Sequence, residues 1–190
     1  PTGGGLFGFD TKKGENLTGV FAHNLYGLGV VGKYEPISFQ AWYTALEDVA
    51  KIYAIELSKT FNFSKTASLG LTAQYAANSV DNGFAAGILL NSKPAFGDST
   101  FYAFQVNGKV GMFDAAAGYV DYSADDGKLG FMSLDDRGSF IKGDKSPYDL
   151  FHLYGAVDYT KFIGDNSYFF VDAGVSISPS WRIGVNYVSG

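Results

Sequence analysis

Apolar and polar residues alternate along most of the chain, in segments of about ten residues. Within Ala67–Asn78, for example, Leu69, Leu71 and Tyr75 fall on one side, whereas Thr72 falls on the other. A period of two places successive side chains on opposite faces of a β-strand. About ten residues are what a tilted strand needs to cross a bilayer. The pattern therefore predicts two-faced strands of membrane-spanning length.

This alternation predicts an all-β chain with nine spanning strands. The predicted strands are Leu17–His23, Leu25–Tyr34, Ile37–Glu47, Val49–Phe61, Ala67–Asn78, Ser99–Val106, Lys109–Tyr122, Ser167–Ile177 and Trp181–Val188. Bacterial barrels close with an even number of strands, and nine is odd. We therefore expect one incomplete domain over residues 1–190, forming part of a large transmembrane antiparallel β-barrel of porin type.

The connections between the predicted strands divide into short and long ones. Short turns, which we assign to the periplasmic side, are predicted at Tyr34–Pro36, Asn62–Thr66, Asn107–Gly108 and Ser178–Ser180. Asn-Gly is a strong signal for a two-residue hairpin. Longer connections, which we assign to the outside, are predicted at Glu47–Asp48, Asn78–Ser99 and Ser123–Asn166.

The segment from residue 123 to residue 166 is predicted to be a long extracellular loop. Within it, Phe151–Tyr159 has a strand pattern but would make the number of membrane crossings odd, so we place it inside the loop. Loops of this length without their own structure are uncommon unless they are functional. In a porin, the expected function is to fold inward and narrow the pore.

Two features favour a membrane barrel over a soluble β-sandwich. The polar faces of the predicted strands hold Ser, Thr, Gln, Asn and Gly with occasional charges, as a water-filled lumen would. Aromatic residues such as Tyr34, Tyr43, Tyr119 and Trp181 recur near strand ends, as in the girdles of barrels. A soluble binding module with an aromatic core remains an alternative, but its outer face would be richer in Lys and Glu.

Composition agrees with this class of protein. Aromatic residues make up 17% of the chain and there are 25 Gly, which favours β structure. The absence of Cys excludes disulfides, iron–sulfur clusters and thiol catalysis. The net charge of −5 argues against nucleic acid as a partner.

Catalytic motifs are absent from the sequence. His23 and His152 stand without a partnering pattern, and no hydrolase, metalloprotease or nucleotide-binding motif occurs. We therefore predict that the protein is not an enzyme and needs no cofactor. An outer-membrane barrel with an adhesive or enzymatic role is the competing hypothesis.

Charged residues interrupt three of the predicted strands. Glu56, Asp114 and Arg182 lie on the polar faces of otherwise apolar segments. An Arg on the lipid face would cost roughly 2–4 kcal/mol at the bilayer midplane. We therefore predict that these three side chains point into the pore.

A second charged group lies in the predicted long loop and comprises Asp135, Asp136, Arg137 and Lys142. Acidic and basic side chains that face each other across a constriction impose weak charge selectivity, so we predict that they line the pore. Asp135 and Asp136 could alternatively hold Ca²⁺ through their carboxylate oxygens. A solvated surface turn is the third interpretation.

Several runs of the chain resemble the major outer membrane porins of Campylobacter-like (epsilonproteobacterial) bacteria, which are related to OprD-type porins. The runs that carry this resemblance are Asn24–Gly27, Gly29–Gly32, Ala41–Tyr43, Ile52–Ala54, Ile163–Asn166 and Ser178–Val185. They are collinear from about Leu17 to Gly190.

The resemblance implies a large single-chain barrel that forms a homotrimer in the bacterial outer membrane, among phospholipid and lipopolysaccharide. It implies passive diffusion of small hydrophilic solutes and ions. It further implies that Leu134–Gly138 reaches the constriction and carries a divalent cation. Asp135 matches the acidic position of the family there, whereas Arg137 departs from it, which weakens the expectation of a cation.

Overall fold

The computed structural model describes residues 10–11, 24–90, 93–94, 96–130, 141 and 165–190. Almost all of its regular structure is β. In chain order the elements are β1 (Asp10–Thr11), β2 (Leu25–Tyr34), β3 (Ile37–Leu46), β4 (Ala50–Asn62), β5 (Ala67–Val80), the short helix α1 (Asn82–Gly87), β6 (Ile88–Leu90), β7 (Lys93–Pro94), β8 (Phe96–Gly97), β9 (Ser99–Val110), β10 (Phe113–Ala124), β11 (Leu129–Gly130), β12 (Asn166–Ser178) and β13 (Trp181–Ser189).

Eight long strands form one antiparallel sheet in the order β13-β12-β10-β9-β5-β4-β3-β2. Each of the six long strands between β2 and β13 therefore pairs with the long strand that precedes it and the one that follows it along the chain. Within the described residues, β2 and β13 are the two edges of this sheet. Such an up-and-down sheet is the arrangement from which a barrel wall is built.

Eight of the nine predicted strands are confirmed by these elements. The ninth, Leu17–His23, and the strand-like segment Phe151–Tyr159 lie outside the described residues. β10 and β12 pair directly with each other, from Phe113↔Val175 to Tyr122↔Asn166.

The predicted turn at Asn107–Gly108 is wrong. β9 continues through both residues, and Asn107 pairs with Gly70 on β5 and with Ala116 on β10. The chain turns instead at residues 111–112, where Gly111 has a φ of 59°. A tight hairpin needs a residue that accepts positive φ, and glycine does so without steric cost. Asn-Gly thus lies inside a strand because a second glycine three residues later makes the turn.

The connections divide between the two ends of the sheet. Residues 35–36, 63–66, 111–112 and 179–180 form tight turns at one end, which we call the short-turn end. The opposite end, the long-connection end, carries the turn at residues 47–49 and the connections from β5 to β9 and from β10 to β12. This division confirms three of the four predicted short turns.

One face of the sheet, which we call the outer face, presents large apolar side chains to the surroundings. At its centre, Ile55 is 51% and Leu57 53% exposed. Apolar areas of this extent are rare on soluble monomers. The exposed face therefore argues against an aromatic-cored soluble sandwich and fits contact with lipid.

Two aromatic rows border the outer face. Near the long-connection end, Tyr43 pairs with Tyr53, Tyr75 with Tyr102 and Tyr119 with Phe169 across neighbouring strands. Ring contacts join Tyr102 to Tyr119 and Phe169 to Tyr187. Near the short-turn end, Tyr34, Phe63, Phe113 and Trp181 are all more than half exposed. Barrels carry such girdles at the two membrane interfaces. In the described ranges, no helix has the length and apolarity needed to cross a membrane.

The opposite, inner face is covered near the long-connection end. A cluster of buried side chains, here called the inner cluster, comprises Ala76, Phe101, Ala103, Val120, Tyr122, Ile141, Tyr168 and Phe170. Ile141 comes from the connection between β10 and β12 and is 8% exposed. The sequence predicted a polar inner face throughout; at this end it is apolar, and Ile141 packs against it.

Candidate functional site

The predicted pore-lining residues fall into three groups. Asp114 and Arg182 lie together on the inner face near the short-turn end, where they form an ion pair. Glu56 lies on the inner face of β4, separated from β10 by β5 and β9. Asp135, Asp136, Arg137 and Lys142 lie outside the described residues. Their pore-lining and cation-binding roles therefore stay predictions.

The guanidinium of Arg182 connects three neighbouring strands. Its Nε donates to Oδ1 and Oδ2 of Asp114 at 3.1 and 3.0 Å. Its Nη2 donates to Oδ1 of Asp114 at 2.7 Å and to Oδ1 of Asp172 at 2.6 Å. Asp114 belongs to β10, Asp172 to β12 and Arg182 to β13. Fork-like donation of this kind gives strong, directional charge-assisted hydrogen bonds.

Two glycines make this arrangement sterically feasible. Gly174 lies between Asp114 and Gly184 in the same cross-strand row. A Cβ at Gly174 would lie 2.4 Å from Cζ of Arg182, and a Cβ at Gly184 would lie 2.5 Å from its Nη1. Glycines here therefore leave the space through which the long side chain crosses β12.

Asp172 was not among the predicted site residues, although its position on the polar side of β12 follows from the alternation. Its side chain is only 4% exposed, against 24% for Asp114 and 33% for Arg182. A nearly buried carboxylate needs a hydrogen-bonded counter-charge, which Arg182 supplies. The alternation does not give the register of β12 against β13. That register brings Arg182 within hydrogen-bonding distance of Asp172.

Two carboxylates share one guanidinium at this site, which leaves a formal charge of −1 on the three side chains together. Lys109 is the direct cross-strand neighbour of Asp114 and adds a positive charge to the same region. Charges of both signs are thus held close together on the wall. Such an arrangement can orient polar solutes and act weakly on passing ions.

Glu56 takes part in a second polar contact, on the covered part of the inner face. Its Oε2 accepts a hydrogen bond from Nε2 of Gln74 at 2.5 Å. Oε1 of Gln74 in turn accepts the backbone N–H of Ile141 at 2.7 Å. Glu56 is half-buried and Gln74 is 9% exposed. The wall and the connection between β10 and β12 are therefore hydrogen-bonded at this point.

A third polar group anchors the connection between β5 and β9. Oγ of Ser99 donates to Oδ1 of Asn78 and lies 3.3 Å from the hydroxyl of Tyr122. The side chain of Asp98 accepts the backbone N–H of Val80 at 2.8 Å. Asn78 and Ser99 are each 4% exposed. These bonds satisfy buried polar groups where the chain leaves the sheet.

At the short-turn end, the turn residue Glu35 forms an ion pair with Lys33, with 2.8 Å between Oε1 of Glu35 and Nζ of Lys33. The hydrogen bond from Lys33, followed by its positive charge, lowers the pKa of Glu35 below its usual value. Both side chains are more than 60% exposed, so the pair contributes little to stability.

An apolar cavity of about 830 Å³ lies near the short-turn end and is lined by outer-face residues such as Leu69, Ala115 and Ala173. Lys109 and Asp114 also contribute to its lining. Among the described residues, no group of three or more His, Cys, Asp or Glu side chains is arranged to hold a metal ion.

A profile of the Campylobacter major outer membrane protein family matches residues 8–190. The chain belongs to this family. Its location is accordingly the bacterial outer membrane, and its sheet is a portion of an outer-membrane β-barrel. No curated protein matched the sequence.

Solved structures of outer-membrane proteins have the same fold. OprD from Pseudomonas aeruginosa has a TM-score of 0.58 at 13% identity, and the match covers 87% of this chain and 42% of that one. OccAB2 from Acinetobacter baumannii has a TM-score of 0.56 at 14% identity, covering 86% of this chain and 37% of that one. The chain therefore spans about two-fifths of the length of these barrels, as the predicted incomplete arc requires.

Proposed function

We propose that the chain forms part of the wall of a porin, a water-filled channel for passive diffusion of small hydrophilic solutes and ions. The observation that carries the proposal is the difference in polarity between the two faces of the sheet. The outer face is apolar and bordered by aromatic rows, whereas the inner face holds Asp114, Asp172 and Arg182. In a closed barrel of this orientation, lipid lies outside and water inside.

The mechanism requires no bond to be broken. Polar and charged side chains of the inner face replace part of the hydration of a passing solute, while the connection from β10 to β12 narrows the passage. The contact of Ile141 with Gln74 on the inner face supports an inward course of this connection. The family membership supports the same function.

We infer a homotrimer in a membrane of phospholipid and lipopolysaccharide, because the family resemblance implies both. Asp135, Asp136, Arg137 and Lys142 are proposed to line the constriction together with the wall charges. Ca²⁺ bound by Asp135 and Asp136 remains the alternative role for these two carboxylates.

The test is conductance of the full-length protein in planar bilayers, with stable ohmic steps as the expected result. Replacing both Asp135 and Asp136 by Asn should lower the preference for cations, because it removes two negative charges from the constriction. The measurement is the reversal potential under a salt gradient, with and without Ca²⁺.

Asp126→Asn is the matched control, since Asp126 is an exposed carboxylate at the long-connection end. It should leave the reversal potential unchanged. Absence of conductance steps in the unsubstituted protein would rule out the porin function. An unchanged reversal potential in the double variant would remove the two residues from the constriction.

A further inference from the structure

The hydrogen bonds of Gln74 form a chain from the wall to the connection between β10 and β12. Glu56 is the direct cross-strand neighbour of Gln74, and its carboxylate accepts from the amide nitrogen at 2.5 Å. The amide oxygen accepts the N–H of Ile141 at 2.7 Å. Ile141 lies 67 positions further along the sequence, so this contact joins distant parts of the chain.

The orientation of the Gln74 amide is dictated by Glu56. An ionised carboxylate can only accept hydrogen bonds, so the amide must turn its nitrogen towards Glu56. The amide oxygen then points away and is available to the backbone N–H of Ile141. Without an acceptor at position 56, the amide could flip and present its nitrogen to a second donor.

The side chain of Ile141 holds the same position by packing. It is 8% exposed and belongs to the inner cluster together with Phe101 and Phe170. Hydrophobic contact is not directional, whereas the bond to Gln74 has a defined length and direction. The hydrogen bond therefore determines where along the wall the backbone at Ile141 is held.

We propose that Gln74, oriented by Glu56, is a positioning residue that fixes Ile141 of the connection from β10 to β12 against the inner face of the wall. This role rests on the proposed function. Glu56 then acts as an acceptor that orients an amide, and the presence of its charge near the pathway is secondary. The proposal thus assigns Glu56 a role different from that of Asp114.

Two substitutions at position 56 separate these roles. Glu56→Gln removes the charge but keeps an oxygen that accepts from Gln74, so the bond to Ile141 and the low open-channel noise should be retained. Glu56→Leu removes both the charge and the acceptor, so Ile141 should be held less firmly; open-channel noise should increase and conductance should change. If only the charge matters, the two variants will have the same conductance, and the proposal is wrong.

Gln74→Leu should shift conductance and noise in the same direction as Glu56→Leu. Its control is Ala73→Leu on the exposed outer face of the same strand, opposite Leu57, which should conduct like the unsubstituted protein. Heat-modifiable migration on gels verifies that each barrel is folded. If Gln74→Leu does not assemble, the comparison at position 56 still decides.

Failure of this inference is distinguishable from failure of the porin function. A protein that conducts, but whose Glu56→Leu and Gln74→Leu variants conduct as before, would overturn only the role of Gln74. Absence of conductance in the unsubstituted full-length protein would remove the porin function itself.

Discussion

At the scale of single residues, the wall depends on glycines that leave space for a charged side chain. Arg182 reaches Asp114 and Asp172 only because Gly174 and Gly184 have no Cβ. Gly27 is also on the inner face, but the nearest atom to a Cβ there would be 3.9 Å away. The glycines of this sheet are therefore not equivalent, although the sequence alone does not distinguish them.

Gly174→Ala should destabilise the sheet, because the new methyl group displaces the guanidinium from the nearly buried carboxylate of Asp172. Breaking a fully buried pair costs about 3–5 kcal/mol; since a third of the Arg182 side chain is exposed, we expect about 1–3 kcal/mol. Urea unfolding in detergent or lipid measures the free energy of unfolding. Gly27→Ala is the control and should change it by less than about 1 kcal/mol. Equal effects of the two substitutions would contradict the role of Gly174.

At the scale of elements, the hairpin of β9 and β10 shows which information local sequence lacks. The dipeptide Asn107-Gly108 has the composition of a turn, yet both residues are paired on both sides. Asn107 also fills the space above Gly70, where a Cβ would lie 2.6 Å from its Oδ1. Both neighbouring strands, β5 and β10, pair with β9 as far as Val110, so the turn lies at Gly111. Tertiary pairing has overridden a strong local preference.

Two alanine substitutions three residues apart test this assignment. Gly111→Ala should cost about 1–2 kcal/mol of unfolding free energy, since its φ of 59° is unfavourable for a residue with a Cβ. No atom lies within 4 Å of the added methyl group, so the cost comes from the backbone alone.

Gly108→Ala should be neutral or slightly stabilising, because a Cβ there has its nearest neighbour at 3.8 Å and replacing glycine restricts the unfolded chain. The comparison uses denaturant unfolding under identical lipid conditions. If Gly108 were the turn residue, the order of the two variants would be reversed.

The candidate site was predictable only in part, for the same reason. Alternation alone places Glu56, Asp114 and Arg182 on the inner face, because successive side chains of a strand point to opposite faces. Alternation does not determine the register between strands, so the hydrogen bond from Arg182 to Asp172 was not predicted. Alternation also does not determine where a long connection contacts the sheet. The contact of Ile141 with Gln74 therefore could not be predicted from the sequence.

At the scale of the whole molecule, two lysines indicate the limits of the apolar band. Lys51 and Lys59 lie on the outer face of β4, eight residues apart, on either side of Tyr53, Ile55 and Leu57. Eight residues extend about 26 Å along a strand, or about 20 Å across a membrane after a tilt of about 40°. Lysine stems reach a few ångströms further towards water. This agrees with a hydrocarbon band of about 25 Å.

Ile55→Arg places a charge at the centre of this band and should cost about 2–4 kcal/mol of folding free energy in lipid. Ser58→Arg is the matched control, because Ser58 lies on the inner face of the same strand and should tolerate the charge with a smaller loss. Folding into vesicles, followed by gel mobility with and without heating, measures the difference. A larger loss for Ser58→Arg would reverse the assignment of the two faces.

The order of strands has a consequence for how the sheet forms. Most pairings join strands that are close in sequence, so hairpins such as β2–β3 and β12–β13 can close with little loss of chain entropy. Pairing of β10 with β12 must instead bring Ala124 next to the strand beginning at Asn166. Contacts of high sequence separation form slowly. Assembly of this wall should therefore pause before the six strands from β2 to β10 meet the hairpin of β12 and β13, and the joining of β10 to β12 should be its slow step.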